Sequence, residues 1–261
     1  MKLLIYSTKL LVILALFYYN STYSQLVNIE SQRIQTDSIR FVINGDLSYS
    51  SQKNNNEKFS VFGASFTSQI KTKSLKDIFL LLVSADYSKV NDYDLSNSLL
   101  MHYRYNRKLS NYIRLEAFVQ YQNNKLIGVD YRELIGIGPR IKITGKRDLK
   151  LYYGLLYMYE NEKTINENNI ICYSSLNRIS TYISGSLKIA KDIGEFNTVT
   201  YYQPCLNDFN NYRLNNQSSL IFTLTPHVKF TNTLTILYDE SPPIGISKSN
   251  TSFTNGIKIS Y

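Results

Sequence analysis

Ten ionisable residues fall at alternate positions of extended segments: Arg40, Asp46, Arg104, Arg114, Glu116, Arg140, Glu160, Arg178, Arg213 and Asp239. Gln120 belongs to the same set. Their spacing puts them on the face opposite the apolar residues of each segment. Gathered in one narrow interior, six bases and four acids have two uses. They can form an ion-pair network that stiffens the wall and fills the bore. Alternatively they form a constriction with a slight cationic bias, passing small anions or polar solutes.

Other chemistry is poorly provided for. A hydrolase on the lipid face needs a Ser–His pair oriented by Asn or Asp. The chain has two histidines, His102 and His227. His102 points inward, with no outward Ser placed beside it, and His227 falls in a short turn on the wrong side. The expected role is therefore not enzymatic, and no catalytic residue or cofactor is assigned. Acidic pairs such as Glu160/Glu162 or Asp92/Asp94 have the chemistry for Ca²⁺, but a solvated strand end or loop explains them as well. Cys172 and Cys205 lack a further ligand at zinc-binding spacing. Outside the cytoplasm a disulfide between them is open, provided that the longer loop folds back to bring them together.

The elements that must position these residues are strands. In Asn111–Gln122, Ile113, Leu115, Ala117, Val119 and Tyr121 alternate with Arg114, Glu116, Phe118, Gln120 and Gln122. A period of two means a strand with two unlike faces. The pattern recurs at Ser38–Ser50, Lys58–Ile70, Lys76–Ser88, Ser96–Asn106, Tyr131–Ile143, Asp148–Glu160, Ser174–Ile189, Glu195–Gln203, Tyr212–Thr225, Val228–Asp239 and Ser252–Tyr261. The run Ile78–Val83 is apolar on both faces and reads as a strand whose lumen side is partly apolar. Short connections alternate with longer ones: Ser51–Glu57, Lys89–Leu95, Asn123–Asp130, Asn161–Tyr173, Leu206–Asn211 and Glu240–Thr251. Short periplasmic turns and longer external loops are the asymmetry of a membrane barrel, and an even strand count puts both termini on the short-turn side.

Composition and flanks fit. The 261 residues suit one all-β domain. Tyr, at 23 residues against 12 Phe and no Trp, suits strands and membrane–water boundaries. The formal charge is +9, of which Lys2 and Lys9 sit in the leader. Residues 1–24 read as a signal peptide: a basic start, an apolar Leu10–Tyr19, and small Thr22 and Ser24 before a cut at Ser24–Gln25. Export makes nucleic acid an improbable partner. Residues 25–37 form a polar periplasmic lead-in, and 38–261 the barrel. Alternating Ile257, Ile259 and a terminal Tyr261 read as the signal for barrel-assembly machinery. Exposed strand edges are costly in hydrocarbon, so the first and last strands are expected to pair.

Four stretches, Arg114–Leu126, Arg132–Arg140, Tyr201–Pro204 and Tyr238–Pro243, together resemble an uncharacterised barrel family, the YdiY-like salt-induced outer membrane proteins. The resemblance spans most of the mature chain in matching order, the central stretch being the most specific. It implies an outer-membrane β-barrel and no catalytic residues. Asp239-Glu240-Ser241 carries one acid more than the usual pattern. The expectation is an all-β transmembrane antiparallel up-and-down β-barrel of about twelve strands in the outer membrane of a Gram-negative bacterium. It is expected to be a monomer, with lipid and the assembly machinery as partners. Its role is structural or that of a narrow, partly plugged, porin-like pore. A channel for small anionic or polar solutes is the alternative, with Arg114 at its constriction. A soluble lipocalin-like barrel, its apolar face turned inward, is the alternative fold.

Overall fold

A computed structural model describes residues 40–54, 57–91, 93–146, 148–165, 170–189, 193–225, 228–243 and 245–259. The leader with its Ser24–Gln25 cut, the lead-in, Asp92, His227 and Tyr261 lie outside the described residues. So do the side chains of Asp46, Asp94 and Ile259.

Twelve strands follow one another in a single antiparallel sheet, in sequence order. They are β1 (Phe41–Asn54), β2 (Glu57–Lys71), β3 (Asp77–Val90), β4 (Tyr93–Lys108), β5 (Ile113–Asn124) and β6 (Val129–Gly145). Then come β7 (Leu149–Ile165), β8 (Ile171–Ile189), β9 (Gly194–Pro204), β10 (Tyr212–Thr225), β11 (Val228–Asp239) and β12 (Ser249–Ile259). One 3-10 turn, Lys125–Ile127, interrupts the β5–β6 connection.

Exposure follows the period of two, with the usual sense reversed. On β5, Ile113 and Val119 are exposed, while Glu116 and Phe118 are buried. Across β6 and β7, Ile135, Ile137, Tyr157 and Tyr159 face outward, while Arg140, Leu156, Met158 and Glu160 are buried. A water-soluble barrel would bury the isoleucines and hydrate the arginines. Apolar residues outside a charged interior make a transmembrane antiparallel up-and-down β-barrel, and the lipocalin-like alternative falls. The run in β3 splits as expected: Ile78, Leu80 and Leu82 are buried, and Leu81 is exposed.

Two expectations need correction. The sheet is not closed: the hydrogen-bonding order runs from β1 to β12, and among the described residues no ladder joins the two ends. The side-chain contacts that draw distant strands together lie on β5 to β10 (Tyr182 to Glu116, Arg213 to Glu160). On β2 and β3 the buried inward residues include short hydroxyls such as Thr67 and Ser84, which reach less far. Second, most of the long loops are strand. β1 ends at Asn54 and β2 begins at Glu57; β3 ends at Val90 and β4 begins at Tyr93; β7 ends at Ile165 and β8 begins at Ile171. Polar side chains on both faces hide a strand from a hydropathy reading, yet the backbone ladder continues through them. The segments around 206–211 and 240–248 remain as long connections.

Candidate functional site

The lumen is filled in three layers. Nearest the long-loop end is an arginine–carboxylate cluster. Arg213, at the start of β10, reaches three acids on two other strands. Its Nε donates to Asp239 Oδ2 at 2.7 Å, its Nη2 to Glu162 Oε2 at 3.3 Å, and its Nη1 to Glu160. Asp239 is its register partner on β11; Glu160 and Glu162 lie on β7. Arg178 on β8 shares Glu160 at 3.4 Å. It also donates to the Gln203 carbonyl at 3.1 Å, the Asn211 carbonyl at 3.2 Å and Asn211 Oδ1 at 3.0 Å. Arg132 on β6 pairs with Glu162. Three guanidinium groups thus meet three carboxylates, and the layer balances. Breaking one partner of such buried pairs is expensive, because the other charge stays in a dry site.

Below it lies an apolar layer of Phe118, Leu156, Met158, Tyr182 and Val199, with Leu134 and Tyr201 packed against it. Glycines make room for the rings. A Cβ on Gly136 would meet Phe118 Cε1 at 2.4 Å, and one on Gly154 would meet Tyr182 Cε1 at 2.1 Å. Gly154 and Tyr182 are register partners, so the ring lies across its own neighbour's backbone.

The third layer centres on Glu116, fully buried on β5. Arg104 and Arg140 flank it, each at 3.6 Å, and the Tyr182 hydroxyl donates to it at 2.6 Å. Arg140 also sits 4.0 Å from the centre of the Tyr152 ring. Arg104 donates to His102 Nε2 at 3.2 Å, which leaves Nδ1 to carry the proton and donate to Gln120 Oε1, 3.0 Å away. The imidazole is therefore neutral and engaged on both nitrogens. Two arginines around one carboxylate leave this layer with one positive charge in excess.

Between these side chains remains a cavity of about 150 Å³. At about 30 Å³ per water, it has room for roughly five waters. Pro242, Pro243, Ile246 and Lys248 of the β11–β12 connection roof it.

Of the residues singled out in the sequence, Arg104, Glu116, Arg140, Glu160, Arg178, Arg213 and Asp239 come together in the lumen. Gln120 lies half-buried beside His102. Arg114 does not join them. It is half-buried at the short-turn rim, where its Nη1 donates to the Lys76 carbonyl at 3.4 Å. Its place at the end of β5 keeps it from the constriction assigned to it. Arg40 is exposed. Glu160 and Glu162 are not a solvated pair open to Ca²⁺, since arginines take both. Both cysteines are free, so the disulfide is corrected as well: Cys172 is exposed on β8, and Cys205 is buried where it bridges to Arg178. Ile257 is exposed on the outer face. Sequence reading passed over Arg132 and Glu162. Both share parity with residues already assigned inward (Arg140, Glu160), and only the early ends given to those strands hid them.

The family model described as "Protein of unknown function, DUF481" matches residues 45–261. No curated protein matches the chain. Among solved structures, the NanC porin is similar at a TM-score of 0.49 and 15% identity, covering 85% of this chain and 100% of its own. The KdgM porin is similar at 0.43 and 10%, covering 84% and 99%. The translocator domain of the autotransporter NalP from Neisseria meningitidis is similar at 0.43 and 11%, covering 85% and 88%.

Proposed function

The chain belongs to the DUF481 family of proteins of unknown function, and we propose that it is an outer-membrane β-barrel with an occluded lumen, a structural barrel or narrow pore without catalysis. The observation that carries the reading is the three-layer filling of the bore. Charged layers that satisfy themselves, an apolar layer between them and a cavity of about 150 Å³ leave no continuous aqueous path for a solute. The outward isoleucines and tyrosines fit hydrocarbon and its boundary. The signal-like leader fits export to the outer membrane. Lipid and the barrel-assembly machinery are the partners that follow, with the protein as a monomer and nucleic acid excluded. The neutral, doubly bonded His102 supports a role without catalysis.

A second reading, a channel for small anionic or polar solutes, draws on the excess positive charge around Arg104 and Arg140. Conductance of the refolded mature protein in planar bilayers separates the two. The occluded reading expects silence or rare, small steps. Large, stable, anion-leaning steps would overturn it.

A further inference from the structure

The β11–β12 connection, 240–248, crosses the mouth of the barrel. Its start is fixed to the wall: Glu240 N–H donates to the Tyr212 carbonyl at 3.0 Å, and Asp239 N–H to the Lys248 carbonyl at 2.8 Å. Its far side leans on the β5–β6 connection across the lumen. A Cβ on Gly128 would stand 3.4 Å from Ile246 Cγ1 and 3.5 Å from Pro243 Cβ. Two glycines with positive φ, Gly128 at 67° and Gly245 at 91°, shape the two facing segments. Lys248 Nζ lies 2.5 Å from Glu240 Oε1, and the Tyr238 hydroxyl donates to the other carboxylate oxygen.

The two sides of this segment are held differently. Backbone bonds anchor its base within the sheet. Its crossing is held by two apolar side chains and an exposed ion pair, contacts worth little each. Beneath it lies the cavity. We propose that segment 240–248 is a lid over the lumen, that it opens to admit small solutes to the cavity beneath, and that the Glu240–Lys248 contact is its latch. The proposal rests on the occluded-lumen reading and adds the means by which the occlusion is relieved. The charged and titratable groups around Glu240 are Lys248, Tyr238, Tyr212 and Asp239, the last neutralised by Arg213. Lys248 is the cation among them that faces Glu240 directly. It holds the Glu240 carboxyl below the usual carboxylate range, and the Tyr238 hydroxyl adds to this.

The test uses a thiol beneath the lid. Ser180 is buried, lines the cavity and accepts from Gln203 Nε2 at 2.9 Å. Ser180→Cys is made in a chain with Cys172→Ser and Cys205→Ser, refolded in lipid vesicles and treated with methyl methanethiosulfonate. Lys248→Glu is expected to raise the labelling rate about fivefold, the range of a surface ion pair. Replacing residues 241–247 by an Asn-Gly turn should raise it further. A rate unchanged by both alterations, or one already equal to that of a Ser74→Cys control in an exposed turn, overturns the lid. Glu240→Gln replaces either variant that fails to fold. Conductance of the intact chain is read separately. If it conducts freely while labelling still responds to the latch, the occluded reading falls and the lid stands.

Discussion

The Tyr182 hydroxyl on β8 donates to the Glu116 carboxylate on β5 at 2.6 Å, across the lumen and 66 residues away in the chain. The same ring covers Gly154 on β7, so one side chain ties the apolar layer to the charged layer beneath it. Tyr182→Phe keeps the ring and loses the bond. It should cost about 1–3 kcal/mol, the range for a hydrogen bond to a charged group. Glu116→Gln leaves Arg104 and Arg140 without their carboxylate and should cost more, about 3–5 kcal/mol. Urea unfolding of the vesicle-inserted protein gives both values, and the reverse order would refute the account of this layer.

Gly154→Ala and Gly136→Ala push a methyl into Tyr182 and Phe118. Each should cost about 1–3 kcal/mol through displaced rings. Gly185→Ala is the control, because its Cβ would meet nothing nearer than 3.5 Å. It should stay within about 0.5 kcal/mol of the parent. Equal effects at all three positions would mean that the rings do not need the space.

Arg213→Ala leaves Glu160, Glu162 and Asp239 sharing two arginines instead of three. A loss of about 3–5 kcal/mol is expected. The layer changes from balanced to net negative, so any residual current should lean toward cations. Reversal potentials in a salt gradient measure this, and an anion-leaning result would count against the charge assignment.

Ile137→Arg places a charge on the outward face of β6, where Ile137 is 51% exposed. In a bilayer this should cost about 2–4 kcal/mol near the midplane. Arg on the surface of a soluble barrel would cost almost nothing. Unchanged unfolding in vesicles would therefore remove Ile137 from the lipid-facing band.

The latch predicts a pH response of known sign. Glu240 has a lowered pKa in the folded chain, because Lys248 and then Tyr238 favour its charged form. Its contribution is complete above the unfolded value and disappears as pH falls through the folded one. Labelling of the Ser180→Cys reporter should therefore be flat near neutrality and rise below about pH 4. A reagent uncharged across this range keeps the comparison fair. Faster labelling with rising pH would contradict the sign.

The sequence by itself determined the strands, their number and which face of each is apolar. Alternation is a local property: two neighbours on one strand point to opposite sides whatever the rest of the chain does. Arg104, Glu116, Arg140, Glu160, Arg178 and Arg213 could be assigned inward on that ground alone. Strand ends were less legible, since paired strands continue into polar segments where neither face is apolar. Arg132 and Glu162 were lost there. Only the tertiary structure decided the sense of the faces, with isoleucines out and arginines in, because alternation alone is the same for either sense. It alone decided the partners. Arg213 meets Glu160 and Tyr182 meets Glu116 because strands far apart in the chain are curved toward one another, and no spacing along the chain encodes that distance. For the same reason it removed Arg114 to the rim, kept Cys172 and Cys205 apart, and laid 240–248 across the mouth.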